Sequence, residues 1–252
     1  MYSCSLVLCL QKKKEQQFGT VLDGGTTPYQ FALSTRAGTD APSHLLRATT
    51  ETDPNVVVVA IDGVGAFDHI RRKAIFDKLL AVPKLQSLVP FVRLFYGSPT
   101  TYLWEDELDN SREAKQGEGG EQGDALMPAL FALGLHPALQ QADELLEEGE
   151  WLGAFLDDVY LVTTRERAKA AFDTVAAQVK AHAGVDVNFG KCAAWSAAGG
   201  EAPPGLAELG DKVWRCTQPA AENGLVVLGA PLVAQSSYQT LQQNADLEKK
   251  CS

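Results

Sequence analysis

Apolar residues along this chain of 252 residues are grouped in runs whose spacing differs from one segment to the next. Residues 56–61 form a continuous apolar run rich in β-branched side chains, which is typical of a strand buried at the centre of a sheet. Residues 151–155 and 159–162 are two apolar segments joined by a short polar step, which predicts a β-hairpin. The pattern therefore predicts a buried strand and a hairpin as parts of one core.

A longer segment, residues 128–146, has the spacing of a helix with one buried face. Pro128 suits its first turn, because the fixed φ of proline and its missing N–H are compatible with a helix start. The apolar positions expected on the buried face are Leu130, Phe131, Leu133, Leu135, Leu139 and Leu145. Further helices are predicted at residues 69–80, 85–96 and 165–183, and a second hairpin at residues 102–104 paired with 112–115.

Aspartates occupy the ends of the predicted strands. Asp62 directly follows the buried run, and Asp157 and Asp158 form the tip of the first hairpin. Taken alone, this pair is best interpreted as the polar tip of an ordinary turn, because Asp favours turns. If the three acids converge, however, their mutual repulsion requires hard cations, and an all-carboxylate set suits two Mg²⁺ ions, with Mn²⁺ as the alternative. Paired ions of this kind support nucleotidyl transfer.

Several blocks of residues, taken in order, resemble the polymerase core of a reverse transcriptase of the non-LTR retrotransposon type. The joint order and spacing of these blocks, over roughly residues 28–232, carry the resemblance, since each block alone is common. The resemblance implies an α+β fold: a polymerase palm, in which an antiparallel sheet packs on helices, with partial fingers. The blocks are residues 30–40, 61–68, 119–131, 155–158, 184–191 and 228–232.

The same comparison of blocks divides the chain into four regions. Residues 1–18 are expected to be a disordered leader, and residues 19–55 a partial fingers or template-side segment. Residues 56–196 are expected to be the palm, with a finger insertion at about residues 69–120. Residues 197–252 are expected to hold a linker, a primer-grip-like hairpin and a polar tail.

The resemblance implies a catalytic role for four residues. Asp62 and Asp157 would bind both metal ions, and Asp158 would be the supporting acid. Lys191 would donate a proton to the departing pyrophosphate, a role that suits an ammonium group beside a polyanion. The alternatives are strand-end and turn acids for the aspartates and a solvated surface lysine for Lys191.

The resemblance also implies four substrate-binding residues. Phe67 would stack under the sugar of the incoming nucleotide and exclude a 2′-hydroxyl, although a plain core position is an equally good interpretation. Gln122 and Gly123 would lie against the template strand and the nascent base pair, and Gly63 would lie beside the substrate after Asp62. The alternative for Gln122 and Gly123 is a polar loop before a packed helix.

Cations are scarce where the resemblance requires them. The Arg-Pro-Ile block and the basic residues that hold the triphosphate in the family should precede Gln30, and this block is not recognisable there. Arg36 or residues 71–73 are candidate substitutes, but we interpret residues 71–73 as a solvated helix face. The net charge of −10 and the isoelectric point near 4.9 also argue against a nucleic-acid binder that acts alone. Missing flanking domains of a longer polyprotein are expected to supply these cations.

Composition bears on the cellular location of the protein and on its class. Five cysteines without metal-binding spacing indicate reduced thiols and a nuclear or cytoplasmic location, and no apolar run is long enough to span a bilayer. The predicted function is an RNA-directed DNA polymerase core that acts on an RNA template, a DNA primer and deoxynucleoside triphosphates. One alternative is a catalytically inactive retroelement remnant that folds as a palm and at most binds RNA or a protein partner. Another is a metal-dependent phosphohydrolase.

Overall fold

The computed structural model describes residues 4–33, 37–105, 107, 110–121, 123–219 and 223–233. Its centre is a four-stranded antiparallel sheet made of β1 (Val57–Ile61), β4 (Trp151–Phe155), β5 (Asp158–Thr163) and β6 (Ala193–Trp195). The strand order is β4-β5-β1-β6, so β1 lies inside the sheet, as its β-branched run predicts. Strands β4 and β5 form the predicted hairpin.

Seven helices lie around this sheet in the described residues. They are α1 (Cys4–Gly24), α2 (Asp40–Thr52), α3 (Ala66–His69), α4 (Arg72–Ala81), α5 (Val89–Tyr96), α6 (Met127–Asp143) and α7 (Ala168–Gln178). Two 3₁₀ turns, Pro83–Leu88 and Leu206–Leu209, and a π-helical turn, Val179–Ala183, complete the helical segments. Helix α6 is central, because it contacts α1, α4, α7 and β4.

The two faces of the sheet pack against different partners. Val57, Val59 and Leu161 point to the side of α6 and α7 and belong to the main hydrophobic core. Val58, Tyr160 and Trp195 point to the other side, where they meet Leu46 of α2 and the hairpin of β7 (Leu225–Val227) and β8 (Ala230–Leu232). Alternate residues of each strand therefore pack into two separate hydrophobic cores, one on each face of the sheet.

The second predicted hairpin is also confirmed. Strand β2 (Thr100–Glu105) pairs with β3 (Ser111–Gln116), with Trp104 opposite Arg112. Most of its side chains are exposed, including Leu103 and Trp104. The hairpin therefore extends from the body of the protein.

The expectation of a disordered leader at residues 1–18 is wrong for residues 4–18. Residues 4–24 form α1, in which Gln11, Phe18 and Leu22 are buried. These positions are seven and four residues apart and so share one helix face, which packs toward α6. The packing of this face explains why the segment is ordered.

Helix boundaries differ from the predictions most clearly in α6 and α7. Helix α6 ends at Asp143, and Leu145 beyond it is 57% exposed, so its assignment to the buried face is wrong. The helix predicted at residues 165–183 begins at Ala168 and changes at Val179 into the π-helical turn. In the described part of the chain, none of the helices combines the length and apolar character needed to cross a membrane.

Candidate active site

Strand pairing brings the three predicted catalytic acids to one edge of the sheet. In the antiparallel pair of β1 and β5, Ile61 lies opposite Val159. The same register, continued by one residue, places Asp62 opposite Asp158, the first residue of β5. Asp157 lies in the two-residue turn that closes the hairpin, after Leu156 in a left-handed conformation with φ of 55°.

Electrostatic coupling shows that the three acids share one environment. Burial raises the pKa of Asp157, and the nearby Asp62 carboxylate raises it further. Burial likewise raises the pKa of Asp158, and the charges of Asp157 and Asp62 add to the effect, although the Asp158 side chain keeps contact with solvent. Lys191 opposes both shifts, so it is the nearby cation of this group.

Lys191 reaches the acids through a turn docked on Asp62. The Asn188 N–H donates to the Asp62 carbonyl oxygen at 2.8 Å, and the Lys191 N–H donates to the Asn188 carbonyl oxygen at 3.0 Å. The Lys191 Nζ lies 3.9 Å from Asp62 Oδ2, and its side chain is 70% exposed. The ammonium group therefore stands beside the acids and remains open to a substrate from solvent.

The donor set of this edge fits a hard divalent cation. Asp62 Oδ2 is buried and has no hydrogen-bond partner, so its lone pairs are available. In the described residues, no three His, Cys, Asp or Glu side chains are grouped closely enough to hold a metal ion by themselves. Mg²⁺ does not require such a group, because it takes one or two carboxylates and completes its shell with water and substrate phosphates. The residues present therefore fit an ion that arrives together with a substrate.

A cavity of about 440 Å³ opens beside the acids. Asp62, Asp158, Lys191 and Arg215 contribute its charged lining, and the β7–β8 hairpin forms one wall. Its floor is the sheet face that packs against this hairpin. Arg215 was missed in the sequence analysis, because a single arginine in a polar loop carries no motif. The cavity is large enough for part of a nucleotide or a nucleic-acid backbone.

Two predicted substrate-binding residues lie close to the acids but have structural partners. Phe67 is half-buried, and its ring stacks on Phe131 of α6 with centroids 4.5 Å apart and an angle of 16°. Gly63 forms a bridge with Val187, and a Cβ at Gly63 would lie 2.7 Å from Val185 Cγ1. Packing alone therefore requires glycine at position 63, and Phe67 is held by a neighbouring helix.

The predicted glutamine-glycine pair is only partly visible. Gln122 lies outside the described residues. Gly123 is exposed, has a positive φ of 93° and has open space around its α-carbon, so a side chain would be strained there by the backbone and not by contacts. Arg36, a candidate substitute for the missing cations, also lies outside the described residues.

The interpretation of residues 71–73 as a solvated helix face is wrong for Arg72. Arg72 is buried, with 6% of its surface exposed, and donates hydrogen bonds to three oxygen atoms of neighbouring segments. Arg71 donates to the Ala181 carbonyl oxygen at 2.7 Å, while Lys73 pairs with Asp77 on the surface. The sequence around Arg72 does not predict this burial, because the partners of its side chain come from distant parts of the chain.

Comparison with known proteins identifies the fold. The profile of the family "Reverse transcriptase (RNA-dependent DNA polymerase)" matches residues 8–236. A search of curated protein sequences finds no match.

Three solved telomerase structures from Candida tropicalis are similar in fold. The apo telomerase truncated from its C-terminal domain is 14% identical with a TM-score of 0.50, covering 79% of this chain and 40% of that one. The apo telomerase is 13% identical with a TM-score of 0.53, covering 77% and 36%. The telomerase in complex with a TWJ fragment of telomeric RNA is 14% identical with a TM-score of 0.54, covering 77% and 33%.

At this level of identity the similarity establishes the fold alone. The predicted α+β architecture, in which an antiparallel sheet packs on helices as in a polymerase palm, is confirmed. The chain spans less than half the length of each of these telomerase chains.

Proposed function

Because the chain belongs to the reverse transcriptase (RNA-dependent DNA polymerase) family, we propose that it is the core of an RNA-directed DNA polymerase. The observation that carries the proposal is the convergence of Asp62, Asp157 and Asp158 at one sheet edge, beside an open cavity whose lining also includes Lys191 and Arg215. An ordinary turn would not require a third acid at the end of the neighbouring strand. The buried Asp62 oxygen, which lacks a hydrogen-bond partner and has only the exposed Lys191 ammonium group nearby, further supports a ligand from outside the chain.

In this proposal Asp62 and Asp157 hold two Mg²⁺ ions, or two Mn²⁺ ions, and Asp158 supports them. Ions in such a pair stabilise the attacking and leaving oxygens of an in-line phosphoryl displacement. The reaction is attack of a primer 3′-hydroxyl on the α-phosphate of a deoxynucleoside triphosphate, with release of pyrophosphate. Burial, together with the neighbouring carboxylates, raises the pKa values of Asp157 and Asp158, and bound cations would favour their charged forms.

The remaining predicted residues have roles around this centre. Lys191 protonates the leaving pyrophosphate, which its open ammonium group beside Asp62 supports. Phe67, held by its stacking on Phe131, limits the space at the 2′ position of the incoming sugar. Gly63, Gln122 and Gly123 remain proposed substrate-side residues.

The substrates proposed are an RNA template, a DNA primer and deoxynucleoside triphosphates. We propose further that the chain derives from a non-LTR retrotransposon polyprotein of nuclear or cytoplasmic location, whose flanking domains supply cations. The net charge of −10 supports this addition, because phosphate neutralisation provides most of the affinity for nucleic acid.

A second candidate is an inactive remnant that keeps the palm fold. The same negative charge favours it, as does the engagement of Arg72 in structural hydrogen bonds instead of a triphosphate contact. The two candidates differ in metal binding: the remnant shows no thermal shift with Mg²⁺ or Mn²⁺ that depends on Asp62 or Asp157.

Primer extension tests the proposed function. Purified protein is incubated with a DNA primer on an RNA template, deoxynucleoside triphosphates and Mg²⁺, and products are separated by length. Extension by the native protein, its loss in Asp157→Asn and its retention in Asp173→Asn support the proposal. Asp173 is a matched control, because it is an exposed acid of α7 that pairs with Lys169. Absence of extension by folded protein, even with Mn²⁺, contradicts it.

A further inference from the structure

Arg72 is a buried cation that lies outside the acidic edge. It is the first residue of α4, and its side chain reaches into the protein instead of following the helix surface. Burying a charged group is costly unless it is fully hydrogen-bonded. A buried arginine of this kind therefore fixes the chain segments that accept its hydrogen bonds.

The guanidinium group of Arg72 joins three segments. Its Nε donates to the Gly119 carbonyl oxygen at 2.9 Å, its Nη1 to the Ser98 carbonyl oxygen at 2.6 Å, and its Nη2 to Thr100 Oγ1 at 3.2 Å. The group also lies over the Tyr96 ring, 5.4 Å from its centroid. Arg72 thus connects the start of α4, the junction of α5 with β2, and the glycine segment before α6.

The glycine segment, defined here as residues 117–121 and Gly123, is docked on the chain that follows Asp62. The Gly119 N–H donates to the Ile70 carbonyl oxygen at 2.8 Å, and the Gly120 N–H donates to the Phe67 carbonyl oxygen at 3.0 Å. A Cβ at Gly119 would lie 2.2 Å from the Asp68 carbonyl oxygen, so the two backbones are in direct contact. The backbone of Phe67 is therefore positioned by the same segment that Arg72 holds.

A second contact fixes the far end of this segment. Tyr96 donates a hydrogen bond to the buried carboxylate of Asp124, whose other oxygen accepts the Leu126 N–H at 2.8 Å. Because the Tyr96 ring also lies under Arg72, one buried network spans the segment from Gly119 to the start of α6. Fully satisfied networks of this kind make a backbone rigid.

We propose that Arg72 is a positioning residue that holds the glycine segment, and through it Phe67, in the geometry that selects a deoxynucleotide. The proposal rests on the proposed polymerase function and deepens it. Arg72 does not touch the substrate; it acts through the Gly119 and Gly120 backbone and the Phe67 carbonyl. Lysine at position 72 keeps the positive charge but cannot donate in three fixed directions.

The test compares Arg72→Lys with Lys73→Met, a control on the same helix turn whose exposed side chain pairs with the exposed Asp77. Steady-state primer extension gives kcat and KM for a deoxynucleotide and for the matching ribonucleotide. In Arg72→Lys we expect KM for the deoxynucleotide to rise by about fivefold with kcat changed less than about twofold, and the preference for deoxynucleotide to fall by about fivefold. Lys73→Met retains the native values.

Hydrogen–deuterium exchange followed by mass spectrometry provides a readout that does not depend on activity. Peptides covering residues 117–126 should exchange faster in Arg72→Lys than in Lys73→Met, while peptides of α6 keep their native protection. The proposal is overturned if the exchange rate of this segment is the same in both variants, or if the exchange rate of α6 rises by the same amount. This holds even if the native protein extends no primer. In an active protein, native KM and native sugar preference in Arg72→Lys also overturn it.

Discussion

Replacing Asp62 with asparagine should stabilise the protein in metal-free buffer. The native carboxylate has a buried oxygen without a hydrogen-bond partner and lies in the field of Asp157 and Asp158. Leaving a buried neutral polar group unsatisfied costs about 1–3 kcal/mol, and a charged group costs more. Because asparagine keeps a polar oxygen at this site, the change recovers only the excess cost of the charge, about 2 kcal/mol. The lost attraction to Lys191, at 3.9 Å with an exposed ammonium group, offsets at most about 1 kcal/mol. The net gain for Asp62→Asn is therefore about 1 kcal/mol.

Thermal unfolding followed by circular dichroism measures this gain. For a protein of this size, 1 kcal/mol corresponds to a rise in Tm of about 2–4 °C. Mg²⁺ should reverse the order, because a ligand that binds the folded state stabilises it by about 1.4 kcal/mol at ten times its Kd. The native protein should gain this increment and Asp62→Asn should not. A lower Tm for Asp62→Asn without metal, or equal Mg²⁺ shifts in both proteins, would refute the reasoning.

Three further changes test separate parts of the account. Phe67→Val should raise ribonucleotide incorporation relative to deoxynucleotide by about tenfold or more, as measured by competitive single-nucleotide extension, and an unchanged ratio makes Phe67 a core residue only. Lys191→Met should lower kcat by about 100-fold in rapid-quench extension with little change in primer–template affinity, and an unaltered kcat removes its proposed proton donation. His136 is buried, and burial lowers its pKa to about 4 from its ordinary 6.5. The unfolded state therefore binds a proton more readily, so stability is present above pH 6.5 and is lost as pH falls toward 4. Urea unfolding should show about 2 kcal/mol lost between pH 7 and pH 5 relative to His136→Gln, and parallel pH profiles contradict this origin.

The elements that place the acids could be predicted from sequence because their signals are local. A β-branched run ending in Asp62 specifies a buried strand, and two apolar segments around Asp157 and Asp158 specify a hairpin. Which strand neighbours β1 is a tertiary property. The resemblance of ordered blocks, and not the spacing itself, made the convergence of the acids an expectation.

Features that depend on distant partners could not be predicted in this way. The partners of the Arg72 side chain lie 26, 28 and 47 residues further along the chain, so a helix-start arginine resembles a solvated one. The burial of Phe18 and Leu22 in α1 depends on the position of α6, and an apolar start followed by lysines obscures it. Arg215 reaches the cavity through the course of an irregular loop. In each case the local sequence permits several environments, and packing selects one.

The proposed polymerase mechanism depends most directly on divalent ions bound by Asp62, Asp157 and Asp158. Electron paramagnetic resonance of free Mn²⁺ during titration counts the ions bound per chain in the presence of primer–template and a non-hydrolysable deoxynucleotide analogue. We expect two bound ions for the native protein, fewer for Asp62→Asn and Asp157→Asn, and the native number for Asp173→Asn. Equal binding by the native protein and both site variants would contradict it.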